Sequence, residues 1–238
     1  MLYIRSVLFY NFIGYGFWRL FHMIGFYNYT VIITYLSVVS AALGMYLCSQ
    51  GDLKIGIFFF MFSGLCDMLD GPVSRTKKDR TDTERKFGIQ IDSLCDCVSF
   101  GVQPAIIYYF IAKYQAPDST VLHRIAFVLG VLLMLAAVIR LAFFNVSEED
   151  RQKTEGNQLR KYYRGLPVTN VTWILPIFFL TRYFLSGAAF VIVMLASEAL
   201  TAFLFLLDFK MPKVHGKKLI PVALAAIAVF VGVCLIKF

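Results

Sequence analysis

The sequence predicts an all-α integral membrane protein, a polytopic helical bundle of about seven spans. Three observations predict it. Of 238 residues, 59% are hydrophobic and 16% charged, with a mean hydropathy of +0.69, whereas ordinary soluble domains are about 45–50% apolar. The apolar residues fall into separate runs close to the roughly 20 residues that a spanning helix needs. Lysine and arginine concentrate in every second connection between those runs, the pattern of cytoplasmic loops.

Residues 1–27, "MLYIRSVLFYNFIGYGFWRLFHMIGFY", interleave aromatics with Arg5, Arg19 and His22 and have no small-residue cleavage site. The segment reads as an amphipathic helix lying in the membrane interface rather than a secretory signal. Residues 28–238 read as a single transmembrane domain, with spans at 31–48, 53–74, 89–112, 122–145, 167–183, 188–207 and 219–236. Runs such as "GIFFFMFSGL" and "VLGVLLMLAAVI" are apolar on every side, which favours helices over the in-and-out alternation of a barrel strand.

The basic connections are 75–87, 146–166 and 208–218; the intervening ones hold only Lys54, Lys113, Arg124 and Arg182. This alternation supports the span count independently of hydropathy and turns the 75–87 side toward the cytoplasm of a cell membrane. The net charge of +8 is spread over membrane-flanking loops, so anionic lipid head groups are the expected partner and nucleic acid is not. The five cysteines, Cys48, Cys66, Cys95, Cys97 and Cys234, all fall in expected spans and read as small hydrophobes rather than a disulfide framework.

Against this oily background stands "CDMLDGPVSRTKKDRTDTERKFGIQIDSLCDCVSFGVQPA", residues 66–105. On a helix, Asp67, Asp70, Gly71, Ser74 and Arg75 fall at offsets 0, +3, +4, +7 and +8 and share one face; Gly88, Asp92 and Asp96 do the same at 0, +4 and +8 on the next, antiparallel helix. Four carboxylates gathered at a low-dielectric boundary repel one another unless cations neutralise them. Hard divalent ions with oxygen ligands do so. Gly71 and Gly88 allow close backbone approach and Arg75 offers a fork for phosphate, so a metal-bound diphosphate fits the site.

These residues resemble the signature of the CDP-alcohol phosphotransferase family: Asp, two residues, Asp-Gly, two residues, Ala-Arg, a spacer usually of eight, then Gly, Asp and Asp at intervals of four. Ser74 stands where alanine is usual, and the spacer from Thr76 to Phe87 has twelve residues. The continuation "IDSLCDCVSFGVQPA" is most similar to the phosphatidylserine synthase branch, with weaker matches at "RLAFFN" (140–145) and "YYRGLP" (162–167).

The resemblance implies a six-helix core, usually a homodimer, in which two Mg2+ or Mn2+ ions are held by Asp67, Asp70, Asp92 and Asp96, with Asp96 also the general base. It implies contacts from Asp67, Gly71, Ser74, Arg75 and Gly88 to the CDP part of CDP-diacylglycerol, and L-serine as acceptor. Arg140, Asn145 and Arg164 are the residues expected to receive the acceptor. Other acceptors (glycerol phosphate, inositol phosphate), hydrolysis of the CDP-lipid, a membrane prenyltransferase and a cation transporter are the rival readings. The last two place their acids in separate loops or at the bilayer midplane, whereas here there is one cluster at one end of its helices.

Overall fold

The computed structural model describes residues 24–155, 162–212 and 219–236. The expected interfacial helix at 1–27 lies almost wholly outside the described residues. The chain forms α1 (Tyr29–Ser49), α2 (Leu53–Ser74), α3 (Asp82–Asp96), a π-helical turn (Cys97–Val102) continuing into α4 (Gln103–Gln115), then α5 (Thr120–Glu155) and β1 (Tyr162–Arg164). Next come α6 (Val171–Phe179), bracketed by 3-10 turns at Val168–Asn170 and Leu180–Tyr183, then α7 (Gly187–Leu206), β2 (Lys210–Pro212) and α8 (Leu219–Leu235).

Helix therefore covers each of the seven expected spans. Four helical stretches are long and apolar enough to cross a membrane: Tyr29–Ser49, Asp82–Gln115, Thr120–Arg151 and Gly187–Leu206. The protein is a membrane protein. The other three expected spans differ for visible reasons: α2 carries two aspartates, the 167–183 region is interrupted by 3-10 turns, and α8 has 17 residues.

Local chemistry sets the element ends. Asn28 caps α1 by accepting from the Thr30 amide at 3.1 Å. The α1–α2 turn passes through Gly51 at φ +96°, a conformation that favours glycine. α3 starts earlier than the apolar run because Thr81 and Glu84 form a reciprocal capping box. α5 outruns its expected end at 145, since "SEEDRQKTE" is made of good helix formers and Glu148 pairs with Arg151 three residues on.

Pro104, in the first turn of α4, has no N–H to offer the Phe100 carbonyl, and the wide π turn comes immediately before it.

The bundle interior is small and polar where helices cross, and its exterior is apolar. α1 turns Thr30, Thr34, Ser37, Ser40 and Gly44 inward. Ser40 donates to the Phe59 carbonyl at 2.7 Å and Ser63 to the Ser37 carbonyl at 3.1 Å. At the α1–α2 crossing, a Cβ added to Gly56 would meet Cys48 Sγ at 2.1 Å and the Gly44 carbonyl at 3.0 Å. In lipid, helices gain little from hydrophobicity against one another, so close small-residue packing and interior hydrogen bonds hold them.

Phe60, Phe100, Tyr108, Phe190 and Phe205 fill the remaining core. Val121, Phe127, Val131, Leu135, Ile192 and Phe203 face outward, as lipid-facing residues do. All five cysteines are free, in agreement with the sequence reading.

β1 pairs antiparallel with β2, Tyr163 opposite Met211. This pairing was not expected from the sequence. It joins the 146–166 and 208–218 loops, two connections that the charge pattern assigns to one side of the membrane.

Candidate active site

α2 and α3 deliver the acids, but not by lying along each other. The long partner of α2 is α1, which also touches α3. The two acidic stripes meet near the α2 C-terminal end, where the capped start of α3 turns the chain back.

Ligand oxygens of Asp67, Asp70 and Asp92 all lie within 4.8 Å of one another. Asp70 and Asp92 are within hydrogen-bonding reach, and so are Asp67 and Asp96, which brings the fourth acid into the group. The helices thus unite all four aspartates of the sequence motif. An all-oxygen carboxylate set of this spacing suits a hard divalent cation.

Thr34 Oγ1 donates to Asp70 Oδ2 at 3.2 Å, fixing one carboxylate from α1. Ser93, next to Asp92, is tied to Asn145 of α5, whose Nδ2 donates to Ser93 Oγ at 2.8 Å. The Thr34 contact is of the kind that orients a metal-binding carboxylate.

A cleft of about 150 Å³ opens at Asp70 and Asp92. Asp70, Gly71, Ser74, Gly88 and Asp92 line it with Thr30, Val31 and Thr34 from α1, and Arg80, Arg85 and Ile89 from the spacer and α3. Of the five residues expected to face CDP, Gly71, Ser74 and Gly88 line this cleft, and Asp67 adjoins it through Asp70 and Asp92. Arg75 differs. It is exposed and is not among the lining residues, although a Cβ on Gly71 would stand 3.8 Å from its Nη1.

The expected acceptor residues divide between two places. Asn145 bonds Ser93 of α3. Arg140 and Arg164 line a second pocket with Phe143, Phe205, Leu207 and Asp208. Arg140 is buried and its Nε donates to the Leu166 carbonyl at 3.0 Å.

The "GLP" stretch packs against Arg140: Gly165 adopts φ +72°, and a Cβ there would meet the Leu207 carbonyl at 2.7 Å and Arg140 Nη1 at 3.3 Å. Arg164 is exposed, stacks over Phe143 at 5.3 Å and forks onto Asp208, with Nε to Oδ1 at 3.2 Å.

Sequence reasoning missed Thr34, Arg80 and Arg85. Thr30, Thr34 and Ser37 at offsets 0, +4 and +7 form a polar stripe in an apolar helix, a signal that pointed inward. The spacer arginines carried no periodic signal.

Comparison with known proteins agrees with this geometry. The family model described as CDP-alcohol phosphatidyltransferase matches residues 27–203. A CDP-diacylglycerol--serine O-phosphatidyltransferase of Helicobacter pylori (strain J99) is 33% identical over 121 residues, 51% of this chain and 47% of that protein. An archaetidylserine synthase of Methanothermobacter thermautotrophicus is 32% identical over 163 residues, 68% of this chain and 62% of that protein. A CDP-diacylglycerol--serine O-phosphatidyltransferase of Saccharomyces cerevisiae is 35% identical over 111 residues, 46% of this chain and 36% of that protein. The chain spans about half the length of the first of these relatives. With the matched region enclosing the whole aspartate cleft, the chain belongs to the CDP-alcohol phosphatidyltransferase family.

Proposed function

We propose that the protein transfers the phosphatidyl group of CDP-diacylglycerol to the hydroxyl of L-serine, giving phosphatidylserine and CMP. The observation that carries this reading is the convergence of Asp67, Asp70 and Asp92 at a cleft lined by Gly71, Ser74 and Gly88. The relatives' names, each containing serine, support the choice of acceptor.

Asp67, Asp70, Asp92 and Asp96 would hold two divalent cations, Mg2+ or Mn2+. When bound, these supply charge neutralisation for the diphosphate and its leaving group. Gly71, Ser74 and Gly88 leave room for the cytidine, with Asp67 completing the CDP contacts; Arg75, expected to join them, lies outside the cleft.

The serine oxygen forms a bond to the lipid-bearing phosphorus as the bond from that phosphorus to the CMP oxygen breaks, and CMP departs with the electron pair. The hydroxyl proton passes to Asp96, the last acid of the series, since an alcohol at neutral pH needs a base within hydrogen-bond reach. Arg140 receives the serine carboxylate, with Asn145 and Arg164 completing the acceptor side. The reading includes a cytoplasm-facing site in the cell membrane, a homodimer in contact with membrane lipids, an interfacial segment at 1–27 and one catalytic domain at 28–238.

The test is to incubate the purified full chain with CDP-diacylglycerol, Mn2+ and a panel of alcohols, and to identify CMP and lipid products by mass spectrometry. CMP with phosphatidylserine is expected. CMP with a different phospholipid would move the acceptor to glycerol phosphate, inositol phosphate or another alcohol, and metal-dependent uptake without CMP in proteoliposomes would favour a transporter.

A further inference from the structure

The twelve-residue spacer between Arg75 and Gly88 is longer than the resemblance leads one to expect, and it is not slack. Glu84 gathers it. Its Oε1 accepts from Lys77 at 2.8 Å and from Asn28 at 3.3 Å, and its Oε2 accepts from the Thr81 amide at 3.0 Å. Arg80 comes immediately before this tied turn, and its side chain is directed back into the cleft.

The Arg80 guanidinium lies over Gly88 so closely that a Cβ there would stand 2.5 Å from its Nη2. Nη1 and Nη2 reach the carbonyls of Ser74 and Glu84 only at 3.5 and 3.4 Å, and Nε is buried with no hydrogen-bond partner. A buried donor is normally paired, and one left unpaired calls for an acceptor from elsewhere. The guanidinium fork matches phosphate oxygens in pairs, which an ammonium does not. Arg80 lines the same cleft as Asp70 and Asp92, whereas Arg75 does not.

We propose that Arg80 is a diphosphate-recognition residue of this chain: from its seat on Gly88 its guanidinium takes an oxygen of the donor's nucleoside diphosphate. The inference rests on the phosphatidyltransferase reading. It gives the longer spacer a purpose, which is to carry a second arginine into a cleft whose motif arginine lies outside. It also gives Gly88 a second reason to lack a side chain, since a methyl group there would displace Arg80.

The experiment is calorimetric titration of the full chain with CDP in Mn2+, for wild type, Arg80→Ala and Arg80→Lys, together with KM values for CDP-diacylglycerol and serine. Loss of charge-assisted bonds predicts at least about tenfold weaker CDP binding and a similar rise in the donor KM for Arg80→Ala. Arg80→Lys keeps the charge without the fork and should recover only part of the loss, and the serine KM should stay within about twofold in both variants.

Wild-type CDP binding retained in full by Arg80→Ala would overturn the inference alone. So would an equal rise in both KM values, the mark of a merely structural role. Wild-type protein that does not bind CDP would overturn the phosphatidyltransferase reading, and this inference with it.

Discussion

Thr34 on α1 donates its hydroxyl to Asp70 Oδ2 on α2 at 3.2 Å, which makes the first span part of the acidic site rather than a bystander. Replacing Thr34 with Val keeps the shape and removes that donor. The Mn2+ concentration for half-maximal activity should rise about tenfold, as loss of an orienting contact to a metal ligand does. An unchanged metal requirement would show that Asp70 is held by its neighbours alone.

Asp96→Asn should lower CMP release by about 10²–10⁴-fold, the usual contribution of a positioned general base. CDP binding in Mn2+ should remain measurable, because Asp67, Asp70 and Asp92 still form the close trio. Turnover at the wild-type rate would exclude Asp96 as the base.

Arg140→Lys should raise the serine KM roughly tenfold while leaving the donor KM unchanged, since lysine cannot form a planar pair with a carboxylate. The buried Arg140 Nε also donates to Leu166, so the melting temperature must be measured alongside. A loss of stability with an unchanged serine KM would make Arg140 a brace for the "GLP" turn and nothing more.

The Arg164 guanidinium holds the Asp208 carboxyl below the usual carboxylate range, mainly by hydrogen bonding. A depressed folded-state value means that the pair contributes stability above the ordinary carboxylate value of about 4 and loses it as pH falls through the lowered one. Both partners are exposed, so the effect is small. Asp208→Asn should therefore melt slightly below wild type at neutral pH, and the gap should close under about pH 3. A gap of constant size across that range would contradict the pairing.

Gly56→Ala drives a methyl group toward Cys48 Sγ and the Gly44 carbonyl. Overpacking at such a crossing should cost about 1–3 kcal/mol. Adding Cys48→Ala should restore part of the stability, because it clears the closer of the two contacts. Wild-type stability in Gly56→Ala alone would mean that α1 and α2 can separate without loss.

The acidic site was legible because ionisable residues within spans are rare and their spacing repeats the helical turn: Asp67 and Asp70 on one face, Asp92 and Asp96 on another. Seven helical segments were legible because each is a long apolar run. Less visible was which helix would lie against which. Gly44, Gly56 and Ser63 mark α1 as the neighbour of α2, yet small residues look alike wherever they occur.

The pairing of Tyr163 with Met211 and the reach of Arg80 over Gly88 depend on loops with no periodicity. Their geometry follows from Glu84, Thr81 and the "GLP" turn acting across many residues. The exposure of Arg75 had a similar origin: a place in the motif fixes its position on the chain, not the direction of its side chain.

Asp67 and Asp70 are separated along α2 by Met68 and Leu69, each about half exposed. On the proposed reading, the acids and apolar side chains open to lipid share one turn of helix, so a diacyl donor would be handled with its tails still among other lipids. Encounters then happen in two dimensions. Velocity in mixed micelles should follow the mole fraction of CDP-diacylglycerol in the surface rather than its bulk concentration, and adding inert detergent at fixed donor should slow the enzyme by dilution of that surface.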